Sequence, residues 1–101
     1  MKSLSIVIRP QADLDVQRHI LYLEEHEAFA TAAAFNARFD ELIERLAQYP
    51  EIGVKSNYNE HVQYRSMRFA KYHRVIYNFD GNTLYVIRVW DTRHAPADLQ
   101  L

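Results

Sequence analysis

The chain has no cysteine, two glycines and three prolines in 101 residues, and lysine occurs only at Lys2, Lys55 and Lys71. Without cysteine the fold rests on neither disulfides nor a thiolate-bound metal, and a reducing cytoplasm is the simplest compartment. Gly53 and Gly81 stand alone, so there is neither a glycine-rich phosphate loop nor a nucleophile elbow. Long apolar runs are missing as well. The longest, around Ala32 to Phe35, falls far short of the roughly 20 residues that a bilayer-spanning helix needs, and the N-terminus shows no cleavable signal. These absences predict a soluble cytoplasmic protein with no membrane partner. His19, His26, His61 and His73 fall on different predicted elements without zinc-ligand spacing, so neither a metal nor a cofactor is expected.

What is present describes one globular domain spanning residues 1–101, because 49% hydrophobic residues suffice for a modest core. Net charge is −1, which works against nonspecific affinity for nucleic acid. The charges are unevenly placed. Acidic residues crowd Asp13 to Glu51, while Lys55, Arg65, Arg68, Lys71, Arg74, Arg88 and Arg93 make the second half basic.

Leu4, Ile6 and Ile8 alternate with Ser5, Val7 and Arg9 as in a half-buried strand, which Pro10 stops. Proline suits the first turn of a helix, and Val16, Ile20 and Leu23 then recur at helical spacing. Ala32, Phe35, Phe39, Leu42 and Leu46 form a second apolar stripe, ended by Tyr49-Pro50, so the two segments read as a helical hairpin. Its junction at His26 to Phe29 holds neither Gly nor Pro, which leaves one long bent helix as an alternative. Gly53 to Glu60 reads as a loop. Three strands follow, at about 62–69, 72–79 and 83–90, with Asp80-Gly81-Asn82 as a hairpin turn in which Gly81 supplies a positive φ. The order predicts an α+β domain: a strand, a two-helix hairpin and a three-stranded antiparallel meander, the helices covering one face of an antiparallel sheet.

The last predicted strand ends in Trp90-Asp91-Thr92-Arg93-His94, where a scaffold displays recognition or reactive groups, so Arg93 and His94 are the first candidates. Tyr64, Tyr72, Tyr77 and Tyr85 are expected to pack rather than to stack on bases.

The segments Ala12-Asp13-Leu14, Leu42-Ile43-Glu44-Arg45-Leu46, Tyr49-Pro50-Glu51-Ile52-Gly53, Tyr64-Arg65-Ser66, Tyr72-His73-Arg74-Val75-Ile76-Tyr77 and Val89-Trp90-Asp91-Thr92-Arg93 carry a resemblance in their order and spacing. The chain resembles the RelE/ParE superfamily of bacterial toxin–antitoxin toxins over essentially its whole length. The resemblance implies a plasmid-stabilisation type of toxin, bound by a cognate antitoxin in a hetero-oligomer. It also implies one of two activities: ParE-like inhibition of DNA gyrase by protein contact, or RelE-like cleavage of mRNA on the ribosome.

Cleavage through the 2′-hydroxyl needs a base, an acid and cations at the phosphate, for which Arg65, Arg93 and His94 are the candidate catalytic residues. Arg65 and Arg68 stand three apart, so an unbroken strand places them on opposite faces and only a bulge would unite them. The scarcity of lysine, the absence of tyrosine after His94 and the carboxylate of Asp91 beside Arg93 weigh against a nuclease. The leading expectation is therefore a non-enzymatic ParE-like gyrase inhibitor. A ribosome-dependent endoribonuclease is the alternative, and an inactive relative that only binds its antitoxin is a third. An apolar patch or open sheet edge is expected where the antitoxin docks.

Overall fold

The computed structural model describes residues 3–58 and 61–101. The elements are β1 (Ser5–Ile8), α1 (Pro10–Glu25), α2 (Phe29–Gln48), β2 (Val54–Ser56), β3 (Tyr64–Ala70), β4 (His73–Phe79) and β5 (Thr83–Asp91), with short 3₁₀ turns at Pro50–Ile52 and Pro96–Asp98. The five strands form one sheet in the order β1-β5-β4-β3-β2. The predicted meander is present as β3-β4-β5, yet the sheet is mixed, not wholly antiparallel, because β1 pairs in parallel with β5. The connection from β1 to β5 runs through the α1–α2 hairpin and then β2, β3 and β4, which lets the two strands run the same way.

β1 corrects the expectation of a half-buried strand. Ile6, Val7 and Ile8 are all exposed, since β1 lies at the sheet edge and leaves a flank of backbone and apolar side chains open. At the other edge, β2 occupies part of the segment expected to be loop, pairing Val54, Lys55 and Ser56 with Ser66, Arg65 and Tyr64. Three residues are too few for an alternation signal. Asn59 and Glu60 of that predicted loop lie outside the described residues.

Pro10 opens α1 at its first position, as its missing N–H predicts. The hairpin alternative, one long bent helix, is excluded by a Schellman closure. Ala28 N–H donates to Leu23 C=O at 2.8 Å, Glu27 N–H donates to Glu24 C=O at 3.0 Å, and Glu27 sits in the left-handed region at φ 59°. Glycine usually fills this position because a side chain there is strained. Glu27→Gly is therefore expected to stabilise the fold by up to about 1 kcal/mol, seen as a rise of a few degrees in Tm.

The stripe of α2 packs as read. Phe35, Phe39, Leu42 and Leu46 join Ala12 and Val16 of α1 over Val75, Tyr77, Leu84, Val86 and Val89 of the sheet. The inward residues of β5 change parity between Val86 and Val89. A bulge causes it: Ile76 faces Arg88, whereas the next residue, Tyr77, faces Val86. Ile87 is thereby turned to the other face, where it meets Tyr64 and Ile76 in a smaller cluster.

The β4–β5 turn corrects one expectation. Gly81 has no positive φ; the turn is held by Asp80, whose Oδ1 accepts the N–H groups of Asn82 and Thr83, each at 2.8 Å. These bonds hold the Asp80 carboxyl below its ordinary range. A Cβ on Gly81 would meet nothing within 4 Å. Gly81→Ala is thus expected to be neutral or stabilising by up to about 1 kcal/mol through the unfolded chain, as a urea midpoint would show.

Candidate functional site

Asp15, His19 and Tyr22 stand at i, i+4 and i+7 on α1, one face of the helix, and that face lies over the ends of β4 and β5. There they line a cleft of about 290 Å³ with His73, Trp90, Asp91 and His94 among its walls. Asp15 is the anchor. Its carboxylate accepts two bonds from Arg88, Nε at 2.7 Å and Nη2 at 2.9 Å, and a third from the backbone N–H of Val89 at 3.0 Å. This tie fixes the register of α1 on β5, and the bidentate bond raises the Arg88 pKa.

His73 opens β4 directly opposite Asp91, and its ring lies 4.3 Å from that of His19 and 5.0 Å from that of Phe35, centroid to centroid. Only 6% of His73 is exposed. Burial, followed by the neighbouring His19, lowers its pKa to about 4, against the opposing pull of Asp91. Burial lowers that of His19 too. At neutral pH the pair is uncharged.

The turn after β5 is closed on itself. Asp91 accepts Arg93 Nε at 3.1 Å and Nη2 at 2.8 Å, and also the Arg93 backbone N–H at 2.9 Å. These bonds hold the Asp91 carboxyl down at about 2 and raise the Arg93 pKa. The Arg93 guanidinium lies over the Tyr72 ring at 4.2 Å, while Thr92 N–H and Oγ1 both donate to Tyr72 C=O. His94 stands edge-on to Trp90 at 5.7 Å.

Of the three sequence candidates, Arg93 and His94 share the turn after β5 but part there, His94 lining the polar cleft against Trp90 and Arg93 lying over Tyr72. Arg65 is elsewhere. It faces Tyr77, four residues along β4 from His73, and its Nη1 donates to the carbonyls of Glu51 and Gly53 at 3.0 and 2.9 Å. In the same knot Tyr77 OH donates to Pro50 C=O and accepts Gly53 N–H, so Arg65 braces the turn that follows α2. Between Arg65 and Arg68 the ladder is unbroken, and the bulge of β3 falls only after Arg68; the two arginines therefore take opposite faces. His19 and His73 were not singled out by sequence reasoning, because they lie 54 positions apart and only the tertiary fold brings their rings together. The spacing of Asp15, His19 and Tyr22 was the one local signal.

Chemically, the cleft offers the neutral imidazoles of His19 and His73, the ring of His94, the guanidinium of Arg18, and two carboxylates, Asp15 and Asp91, each already paired with an arginine. No group of three or more His, Cys, Asp or Glu able to hold a metal occurs among the described residues. No helix among the described residues is long and apolar enough to cross a membrane.

Comparison with curated proteins gives no match. Among solved structures, the YoeB dimer from Staphylococcus aureus is similar, with a TM-score of 0.59 and 22% identity over 86% of this chain and 94% of that one. At this identity the likeness concerns the fold. The family model described as the ParE toxin of the type II toxin–antitoxin system, parDE, matches residues 6–96, from β1 through the turn that follows β5. The chain belongs to the ParE toxin family of type II toxin–antitoxin systems.

Proposed function

We propose that this toxin acts in the cytoplasm by protein–protein contact, inhibiting DNA gyrase without catalytic turnover, and that a cognate antitoxin silences it in a hetero-oligomer. The family membership implies the antitoxin partner; the target and the mode are our reading. The observation that carries it is the state of the cations. Arg93 is neutralised by Asp91 through a bidentate pair, and Arg65 is spent on backbone carbonyls at another part of the sheet. Phosphodiester scission needs free, convergent positive charge where the phosphate becomes crowded. Here a phosphate that drew Arg93 away would leave the Asp91 carboxylate, only 14% exposed, unmatched.

One observation favours the second reading, a ribosome-dependent endoribonuclease. His19, His73 and His94 line one cleft with Asp91, and imidazoles are the usual proton carriers near neutrality. Under that reading Arg93 and His94 act on the RNA, with Arg65 as a more distant support. The two separate in one experiment, in which purified toxin is added to translating ribosomes and its mRNA is mapped for breaks. Intact mRNA is expected. Cleavage that disappears in Arg93→Ala would replace the first reading by the second.

A further inference from the structure

β1 ends the sheet and has a strand neighbour on one side only. Half of its backbone is spoken for. The N–H groups of Ser5 and Arg9 donate inward to the carbonyls of Asn82 and Val86, so by the alternation of a strand the N–H and C=O groups of Ile6 and Ile8 point outward. Two outward residues therefore flank Val7 symmetrically. Ile6 and Ile8 share the helix-covered face with Leu84 and Val86, while Val7 lies on the other face beside Tyr85; the three are 38%, 36% and 43% exposed.

Such an edge is a template for another strand, and its own sequence answers it. A two-fold axis normal to the sheet sets two copies of β1 antiparallel. With the axis at Val7, Ile6 of each copy exchanges N–H···O bonds with Ile8 of the other, and the two Val7 side chains meet across the axis. Moving the axis to Ile6 would call on the Leu4 N–H, which is already donated to Ala47 C=O at 2.9 Å, and moving it to Ile8 would call on Pro10, which has no N–H. Both neighbouring registers are closed.

Charge selects the same direction. Arg9 has no hydrogen bond or ion pair from its side chain among the described residues and rests over the Tyr85 ring at 5.8 Å. A carboxylate on that face stands at the opposite end of β1. It belongs to Asp80, whose Oδ2 accepts the Tyr85 hydroxyl at 3.4 Å and whose Oδ1 holds Thr83, the neighbour of Ser5. Antiparallel pairing sets Arg9 opposite Ser5 of the second copy, at the strand end where that copy's Asp80 lies. A net charge of −1 adds little repulsion between copies.

We infer that two copies of this chain associate through β1, antiparallel and centred on Val7, to give one sheet continuous through both. A strand pair this short falls below the roughly 1,200 Å² at which stable interfaces begin, so the dimer is weak, with a Kd on the order of 100 μM.

The chain has no cysteine, so single substitutions report the register directly. Under mild oxidation Val7→Cys should cross-link to itself, because facing residues of a non-hydrogen-bonded pair bring their Cβ atoms within about 4.5–5.5 Å. Ile6→Cys and Ile8→Cys should each cross-link about tenfold more slowly alone, and faster when mixed with one another. Sedimentation velocity should show the parent passing from monomer to dimer as its concentration rises. Ile8→Pro removes an outward N–H and spares the β1–β5 bonds, and Ile6→Lys sets like charges near the axis; both should stay monomeric with unchanged circular dichroism. Arg9→Glu should weaken the dimer about fivefold at low salt. A parent that is monomeric up to about 1 mM would overturn the inference. So would Val7→Cys chains that cross-link no faster than Ile6→Cys chains, a dimer unmoved by both Ile8→Pro and Ile6→Lys, or an Arg9→Glu dimer as tight as the parent. β1 amides that gain protection only when the cognate antitoxin is added would give the edge to that protein instead. The pairing needs neither gyrase nor RNA, so its failure leaves the proposed target standing, and a failed supercoiling assay leaves the pairing standing.

Discussion

Asp15→Ala is expected to lower the unfolding free energy by about 3–5 kcal/mol, the cost of stranding one member of a buried ion pair. The side chains of Arg88 and Asp15 are only 15% and 11% exposed, so water from the cleft replaces the lost partner only in part. Three donors lose their acceptor at once: two from Arg88 and the backbone N–H of Val89. A domain of this size has a total stability of about 5–15 kcal/mol, so the variant should be partly unfolded or close to it at 37 °C. Pairing the change with Arg88→Met removes the orphaned charge and should recover a large part of the loss. Urea midpoints of the two variants, compared at unchanged slope, check this. A single variant as stable as the parent would mean that α1 is held on β5 by apolar packing alone.

Acid should weaken the fold well before its carboxylates titrate. His73 has a pKa of about 4 in the folded protein, whereas an unfolded histidine titrates near its ordinary value of 6.5. Between these values the unfolded chain binds a proton that the folded chain refuses, so stability falls as pH falls through the window. The full difference corresponds to about 3 kcal/mol, and His19 adds to it in the same direction. Asp91 enters later. Its carboxyl, held at about 2 by Arg93, keeps its contribution until the pH drops below the ordinary 3.8. Arg93 and His94 also face the His73 ring and oppose its protonation. His73→Phe places a ring of similar shape among Phe35, Phe69 and His19 without a titrating group. Its unfolding free energy should change much less between pH 7 and pH 4.5 than that of the parent. Equal slopes in the two proteins would assign the acid sensitivity elsewhere.

The parts of the fold legible in the sequence are those with a local cause. The α2 stripe from Ala32 to Leu46, the Pro10 start, the Tyr49-Pro50 stop and the Asp80-Gly81-Asn82 turn each appear where their residues place them. Features set by distant partners were not legible. β1 alternates like a half-buried strand, but its exposure follows from an edge position that only the parallel pairing with β5 creates. β2 is too short to show a period, and Glu27 adopts a left-handed conformation for which its side chain gives no hint. The β5 bulge decides which residues near the C-terminal end face α1, and no sequence pattern marks it.

The site divides in the same way. Arg93 and His94 could be found because they follow a strand end, and Asp91 could be suspected as the partner of Arg93 from its position two residues away. Arg65 looked equivalent to Arg93, both being arginines able to grip a phosphate. Only the hydrogen bonds to Glu51 and Gly53 reveal that it closes a turn. The tilted pair His19 and His73 arises from packing α1 over β5, whose end lies beside the start of β4, and it leaves a neutral imidazole pair next to Asp91.

The central claim is that this ParE-family chain works by contact and not by cutting. A supercoiling assay with purified gyrase and relaxed plasmid, titrated with the toxin, tests it most directly. Supercoiling that stops at a stoichiometric ratio of toxin to gyrase, with added mRNA left whole in the same tube, is the predicted result. Undiminished supercoiling accompanied by shortened mRNA would contradict it.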